Sequence, residues 1–150
     1  MVVRSTLTWL SSCLVLLAVG APAVLGAKDG TTNPCKVVTA VNARAALGAT
    51  VPAATPNNAG LYQNCTYATA TGKTLIVLVR KLSQPDFVKS AKANPGKVVA
   101  VHGIGSAAFS VQGSALLFWR NGTEVTLSIV GVTGPLQTEE RLAKTVAGRL

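Results

Sequence analysis

The chain has 150 residues, with 14 Lys/Arg against 5 Asp/Glu, a formal net charge of +9 and 49% hydrophobic residues. That length builds one domain and not two. One His, 3 Cys and 5 scattered carboxylates supply no ligand cluster for a metal centre, and the basic residues are not interleaved with the aromatics that stack nucleic-acid bases.

The first 27 residues are expected to stand apart from the fold. Arg4 is the only charge before Lys28, residues 14–19 form an apolar core, and Gly20, Pro22 and small residues follow. That order is the signature of a secretory signal peptide cleaved close to Ala27. Leu10-Ser11-Ser12-Cys13 matches a lipobox in letters, but a lipobox follows its apolar core and here the core follows the Cys. As an uncleaved anchor, the span 5–27 is weakened by its Ser/Thr content, Gly20 and Pro22. Removal of the segment leaves 13 basic and 5 acidic residues, a net +8. An exported domain of that charge is drawn to anionic surfaces such as lipid headgroups or acidic envelope polymers. Residues 28–34 are polar and turn-rich, a flexible mature N-terminus. Cys35 and Cys65 remain, and in an oxidising compartment they have one possible pairing.

Residues 37–47 read as a helix capped by Thr39 and ended by Gly48, with Val41, Ala45 and Leu47 toward a sheet and Asn42 and Arg44 outward. Residues 49–60 carry Pro52, Pro56 and Gly60 and read as a long surface loop. Residues 65–70 and 74–79 read as strands joined at Thr71-Gly72, a two-residue loop that pairs Tyr67 with Ile76 and Cys65 with Leu78. The second of these is apolar on both sides, as a central strand covered on both faces is. Residues 83–93 read as a helix: Ser83 caps it, Pro85 fits the first turn and Asp86 takes the capping-box position. Phe87, Val88 and Ala91 form its buried stripe, with Lys89 and Lys92 outward.

Residues 97–102 and 107–111 read as strands separated by the tight turn Gly103-Ile104-Gly105-Ser106. Asn121-Gly122 then sits between two apolar, β-prone runs, 114–120 and 123–130. Both central residues of a type I′ turn need positive φ, which Asn and Gly tolerate. The two-residue loop pairs Arg120 with Thr123, Phe118 with Val125, Leu116 with Leu127 and Ser114 with Ile129, all on one core face. Trp119, Leu117, Glu124, Thr126 and Ser128 fall on the other face, expected to be half wet. The terminal helix, 138–149, lines Leu142, Val146 and Leu150 along one stripe. Glu139 and Glu140 complement its N-terminal dipole, and Glu140 and Lys144 form an i, i+4 pair. The order α-β-β-α-β-β-β-β-α is dominated by hairpins. It predicts an α+β domain over 35–150, a mostly antiparallel sheet with helices packed on it and one disulfide.

Candidate chemistry is sparse. His102 is the only histidine, so a nucleophilic site would use it as base with Ser106 or Ser110 and with Asp86 as orienting acid; nothing in the spacing enforces that set. Gly103-Ile104-Gly105 would cradle a phosphate only ahead of a helix, and a strand follows. No cofactor motif is present. Arg80, Lys81, Lys89, Lys92 and Lys97 gather around the second helix as a candidate basic edge, and Trp119 is a candidate ligand-contacting aromatic. Asn64-Cys65-Thr66 and Asn121-Gly122-Thr123 match the glycosylation sequon, which matters only in a eukaryotic source.

A first Cys, a helix ending Leu47-Gly48, Cys65-Thr66-Tyr67 opening a strand, the turn-strand Gly103-Ile104-Gly105-Ser106-Ala107-Ala108-Phe109, a hairpin at Asn121-Gly122 and a final helix together resemble small actinobacterial exported or lipoprotein domains of unknown function. The sequence departs from that pattern at Ser106, where an acid is expected, and in lacking a lipobox after its apolar segment. The resemblance implies an envelope or extracellular α+β domain and no chemistry. The expected function is a non-enzymatic module that binds an envelope component or a partner protein. A small hydrolase or transferase using His102, and a structural or inhibitory domain presenting the 49–60 loop, are the alternatives.

Overall fold

The computed structural model describes residues 32–59, 62–94, 96–112 and 115–150. Residues 1–27, expected as a signal segment, residues 28–31 of the expected mature N-terminus, and Gly60, Leu61, Pro95, Gly113 and Ser114 lie outside the described residues.

Among the described residues four helices and seven strands follow in the order α1 (Pro34–Val37), α2 (Ala40–Leu47), β1 (Thr55–Ala59), β2 (Tyr62–Ala68), β3 (Thr74–Lys81), α3 (Gln84–Lys92), β4 (Val98–Ala100), β5 (Ala107–Val111), β6 (Ala115–Arg120), β7 (Thr123–Val130) and α4 (Pro135–Ala147). The strands form one sheet, β1-β2-β3-β7-β6-β5-β4, antiparallel at every pairing. It is two meanders, β1–β3 and β4–β7, joined through α3 and zipped together where β3 meets β7 over eight residue pairs. This is the α+β architecture expected, in the expected order, with α1 and the edge strand β1 added.

The β6–β7 hairpin takes the register its turn dictates. Asn121 and Gly122 have φ of 48° and 74°, and Arg120 faces Thr123, Phe118 faces Val125 and Leu116 faces Leu127. The period-2 alternation then places Leu116, Phe118, Val125, Leu127 and Ile129 on one buried face. Cys65, Tyr67, Leu75, Val77 and Val79 continue that face across β2 and β3. The helices α1, α2 and α4 cover it with Val37, Ala43, Leu47, Leu142, Ala143 and Val146. Cys35 in α1 is disulfide-bonded to Cys65 in β2, with Cα atoms 5.3 Å apart, and Tyr67 donates its hydroxyl proton to the Val38 carbonyl beside that bond. On the opposite face α3 lies over β5 and β6, with Phe87 against Phe109 at a ring separation of 5.6 Å.

Local rules were overridden at several points. The helix expected over 37–47 is two helices, because Thr39 and Asn42 form a reciprocal capping box that starts α2 afresh at Ala40. Its inward pair is then Ala43 and Leu47, while Val41 and Ala45 face outward and Val41 is 73% exposed. The 49–60 loop contains β1. Its Pro56 is tolerated because an edge strand has one side with no ladder partner. In the β2–β3 hairpin the register differs by one residue from that expected: Tyr67 pairs with Leu75 and Cys65 with Val77. The loop spans 69–73, closed by Thr69 N–H to the Lys73 carbonyl and by Lys73 N–H to Thr69 Oγ1. That slip turns Ile76 and Leu78 away from the core and Leu75, Val77 and Val79 into it. The strand expected over 97–102 shortens to Val98–Ala100, leaving His102 in the following turn. The last helix begins a turn early at Pro135, behind Gly134 at φ 62°.

Candidate functional site

The candidate basic edge does not form as one surface. Arg80 turns inward along the second face of the sheet. Its guanidinium meets Glu124 at 2.7 Å, donates to Ser90 Oγ at 3.0 Å and lies over the Tyr62 ring at 4.9 Å. Glu124 sits opposite Arg80 in the β3–β7 register and is 3% exposed, so this face is closed, not half wet, near the turn. Lys81 donates to Thr123 Oγ1 at 2.7 Å. Lys89 and Lys92 stay free of carboxylates on the outer side of α3, where with Gln84, Pro85 and Val88 they line an open depression of about 660 Å³. Lys97 is exposed ahead of β4. Trp119 donates its indole N–H to the Leu82 carbonyl at 2.7 Å, which spends its polar atom on anchoring the chain entering α3.

The groups around His102 are not assembled into a hydrogen-bonded set. His102 and Ser106 are exposed in the turn after β4, along a shallow pocket of about 240 Å³. Ser110 is buried beside Leu116 on the core face. Asp86 accepts from Ser83 Oγ at 2.5 Å as part of the α3 cap. In Gly103-Ile104-Gly105, Ile104 plugs the core, and a Cβ on Gly105 would stand 2.5 Å from the Trp119 carbonyl oxygen. The second glycine thus serves a close backbone approach, sealed by Ser106 N–H donating to the same carbonyl. Among the described residues no three His, Cys, Asp or Glu side chains converge to hold a metal ion.

Sequence reasoning missed two features. The first is Glu139, expected only to complement the dipole at a helix start. It is fully buried, and its Oε1 accepts from Ile129 N–H at 2.8 Å while Oε2 has no partner among the described residues. The described β6–β7 pairs run from Arg120–Thr123 to Leu116–Leu127, and the carboxyl takes the β7 amide two residues further on. Burial raises its pKa to about 7, against the lowering effect of the Ile129 bond. The expected Glu140–Lys144 pair does not form; Arg80–Glu124 is the only ion pair among the described residues.

The second is a groove of about 190 Å³ between α2 and α4, lined by Asn42, Ala45, Ala46, Thr138, Arg141, Leu142 and Thr145. Asn42 Oδ1 is saturated by Thr39 N–H, Thr39 Oγ1 and Arg149 Nη1, the last at 2.8 Å, which leaves its Nδ2 donors. Thr138 is more than nine-tenths buried in the groove wall. No carboxylate lines the groove. The spacing 138, 142, 145, 149 marks one stripe of a helix in the sequence, but nothing there says that α2 lies alongside.

Compared with family models, curated proteins and solved structures, the chain finds no match. Function is therefore argued from the distribution of charge. Of the described carboxylates, Glu124 and Glu139 are buried, which leaves Asp86 and Glu140 to face solvent. Arg44, Lys89, Lys92, Arg141, Lys144 and Arg149 are all exposed. Folding thus makes the surface more one-sided than the formal charge states. A disulfide such as Cys35–Cys65 belongs to an oxidising compartment, and among the described residues no helix is long and apolar enough to cross a membrane.

Proposed function

We propose that this chain is an exported, non-enzymatic domain that binds an anionic component of the cell envelope. The observation that carries the proposal is that folding takes in Glu139 without a cation and Glu124 together with Arg80, while the arginines and lysines of α2, α3 and α4 stay outside with no carboxylate partner among the described residues. A field of one sign steers an exported domain to a surface of the other. The signal segment read in residues 1–27 and the disulfide support an extracytoplasmic location.

The test is adsorption to vesicles of phosphatidylglycerol and phosphatidylcholine between about 0.01 M and about 1 M salt, where the screening length falls from about 30 Å to about 3 Å. Adsorption at the low end and release at the high end is expected. A protein that stays in solution at low salt defeats the proposal. Adsorption that is unchanged at high salt would point instead to an apolar contact with a partner.

A further inference from the structure

Resting on that function but locating it, we propose that the α2–α4 groove is a binding site for the phosphate of an anionic phospholipid headgroup. The side chains that line the groove bring donors: the Arg141 guanidinium, the Asn42 Nδ2 protons and the Thr138 hydroxyl, with Arg149 beside them on Asn42 Oδ1. Thr145 offers its Oγ1 proton to the Arg141 carbonyl instead, at 3.0 Å, so it contributes shape and not a donor. Such a set fits a compact oxyanion, and the planar guanidinium fork matches two phosphate oxygens at once.

Size and surroundings set the ligand class. The groove volume of about 190 Å³ is below the ~300–1,000 Å³ of pockets that enclose whole drug-sized ligands, so it takes a headgroup and not a complete molecule. Ala45, Ala46 and Leu142 add apolar groups to its lining, suited to the carbons that carry the phosphate. Val41, next to Asn42, presents an apolar side chain 73% exposed on the same helix, placed to touch the interface that a bound headgroup brings near. Arg44 and Lys144 add exposed positive charge on the two helices, and Glu140, the one carboxylate of α4 not fully buried, does not line the groove. Without stacking aromatics nearby, a single headgroup suits the site better than a nucleic-acid strand.

The experiment uses the mature chain with two probes. Inorganic phosphate is titrated against chloride at constant ionic strength and followed by backbone amide NMR; vesicles of phosphatidylglycerol in phosphatidylcholine are followed by co-sedimentation. Phosphate should shift the amides of Asn42, Ala45, Thr138 and Arg141. Replacing Arg141→Gln and Arg149→Gln together should weaken both phosphate binding and vesicle partition by about tenfold or more, with the thermal midpoint unchanged. Arg141→Gln alone, at an exposed position, serves if the double variant is destabilised. Arg141→Lys should lose part of the affinity, because the charge remains and the fork does not. Lys89→Gln with Lys92→Gln should leave phosphate binding intact. If the groove variants partition like the parent while the α3 variants do not, the groove is the wrong site and the broader anionic-surface function stands. Phosphate bound in the groove with no vesicle partition at low salt overturns the lipid headgroup as its source and the surface function with it.

Discussion

At the scale of single residues, Glu139 is the group with the largest consequence. A carboxyl buried under α4 with one oxygen unpaired is more easily accommodated protonated than charged. Its folded pKa of about 7 lies above the ordinary glutamate value of 4.5, so between those values the unfolded chain ionises while the folded one keeps its proton. The native state binds more protons in that window, so stability falls as pH rises from near 4.5 through about 7. A shift of that size corresponds to roughly 3 kcal/mol. Glu139→Gln keeps an acceptor for Ile129 N–H and removes the ionisation. Urea unfolding across the window should show the parent losing stability with rising pH relative to the variant, the two converging at the acidic end. If the parent gains on the variant as pH rises, the carboxyl is charged in the fold and this account fails. Glu124 presents the contrary solution for a buried acid on the same sheet, since Arg80 neutralises it. For that reason removal of either partner alone should be harmful, whereas joint apolar replacement need not be.

At the scale of elements, α1 and α2 are too short to hold themselves, at four and eight residues. Three devices fasten them to the sheet. Asn33 and Thr39 cap their starts, and Lys73 Nζ donates to the Leu47 carbonyl at 3.1 Å at the end of α2. The third is the Cys35–Cys65 bond over a sequence separation of 30. In the chain-entropy model a loop of that length stabilises the fold by roughly 3–4 kcal/mol. Cys35→Ser with Cys65→Ser should therefore lower the unfolding free energy by about that amount, measured by chemical denaturation, and should loosen α1 and α2 before the sheet. Unchanged stability would mean that packing of Val37, Val38 and Leu47 already suffices. The α2–α4 groove depends on the same fastenings, because α2 supplies one of its walls.

At the scale of the molecule, the sheet is two meanders sharing one seam. The β3–β7 ladder runs from Thr74–Val130 to Lys81–Thr123 and carries buried Leu75, Val77, Leu127 and Ile129. Local hairpins on either side close cheaply, whereas the seam joins residues about fifty apart and forms only when both meanders exist. Native-state hydrogen exchange should accordingly find the slowest amides in β3 and β7, with β1 and β4 at the edges exchanging by local opening. Faster exchange at the seam than at either edge would show that the two halves unfold independently. The same assembly leaves positive charge in excess on the outside, because its inner faces take in Glu139 without a cation, whereas Glu124 takes Arg80 with it.

What the chain determined by itself was whatever depends on neighbours in sequence. Asn121-Gly122 sets the β6–β7 register, Ser83 and Pro85 start α3, and Cys35 pairs with Cys65, the two cysteines beyond the expected leader. Each rests on backbone φ, capping or counting, which need no distant partner. What only the tertiary structure decided depends on contacts far along the chain. Pro56 became part of an edge strand because β2 offered it a ladder on one side only, and a loop closed by Thr69 moved β3 by one residue and exchanged its faces. Glu139 went inside where α4 packs on β7, and its carboxyl there accepts from the Ile129 amide, ten residues back along the chain. The donors of the groove were all visible as letters. They became a site when packing laid α2 beside α4, which no spacing within either helix encodes.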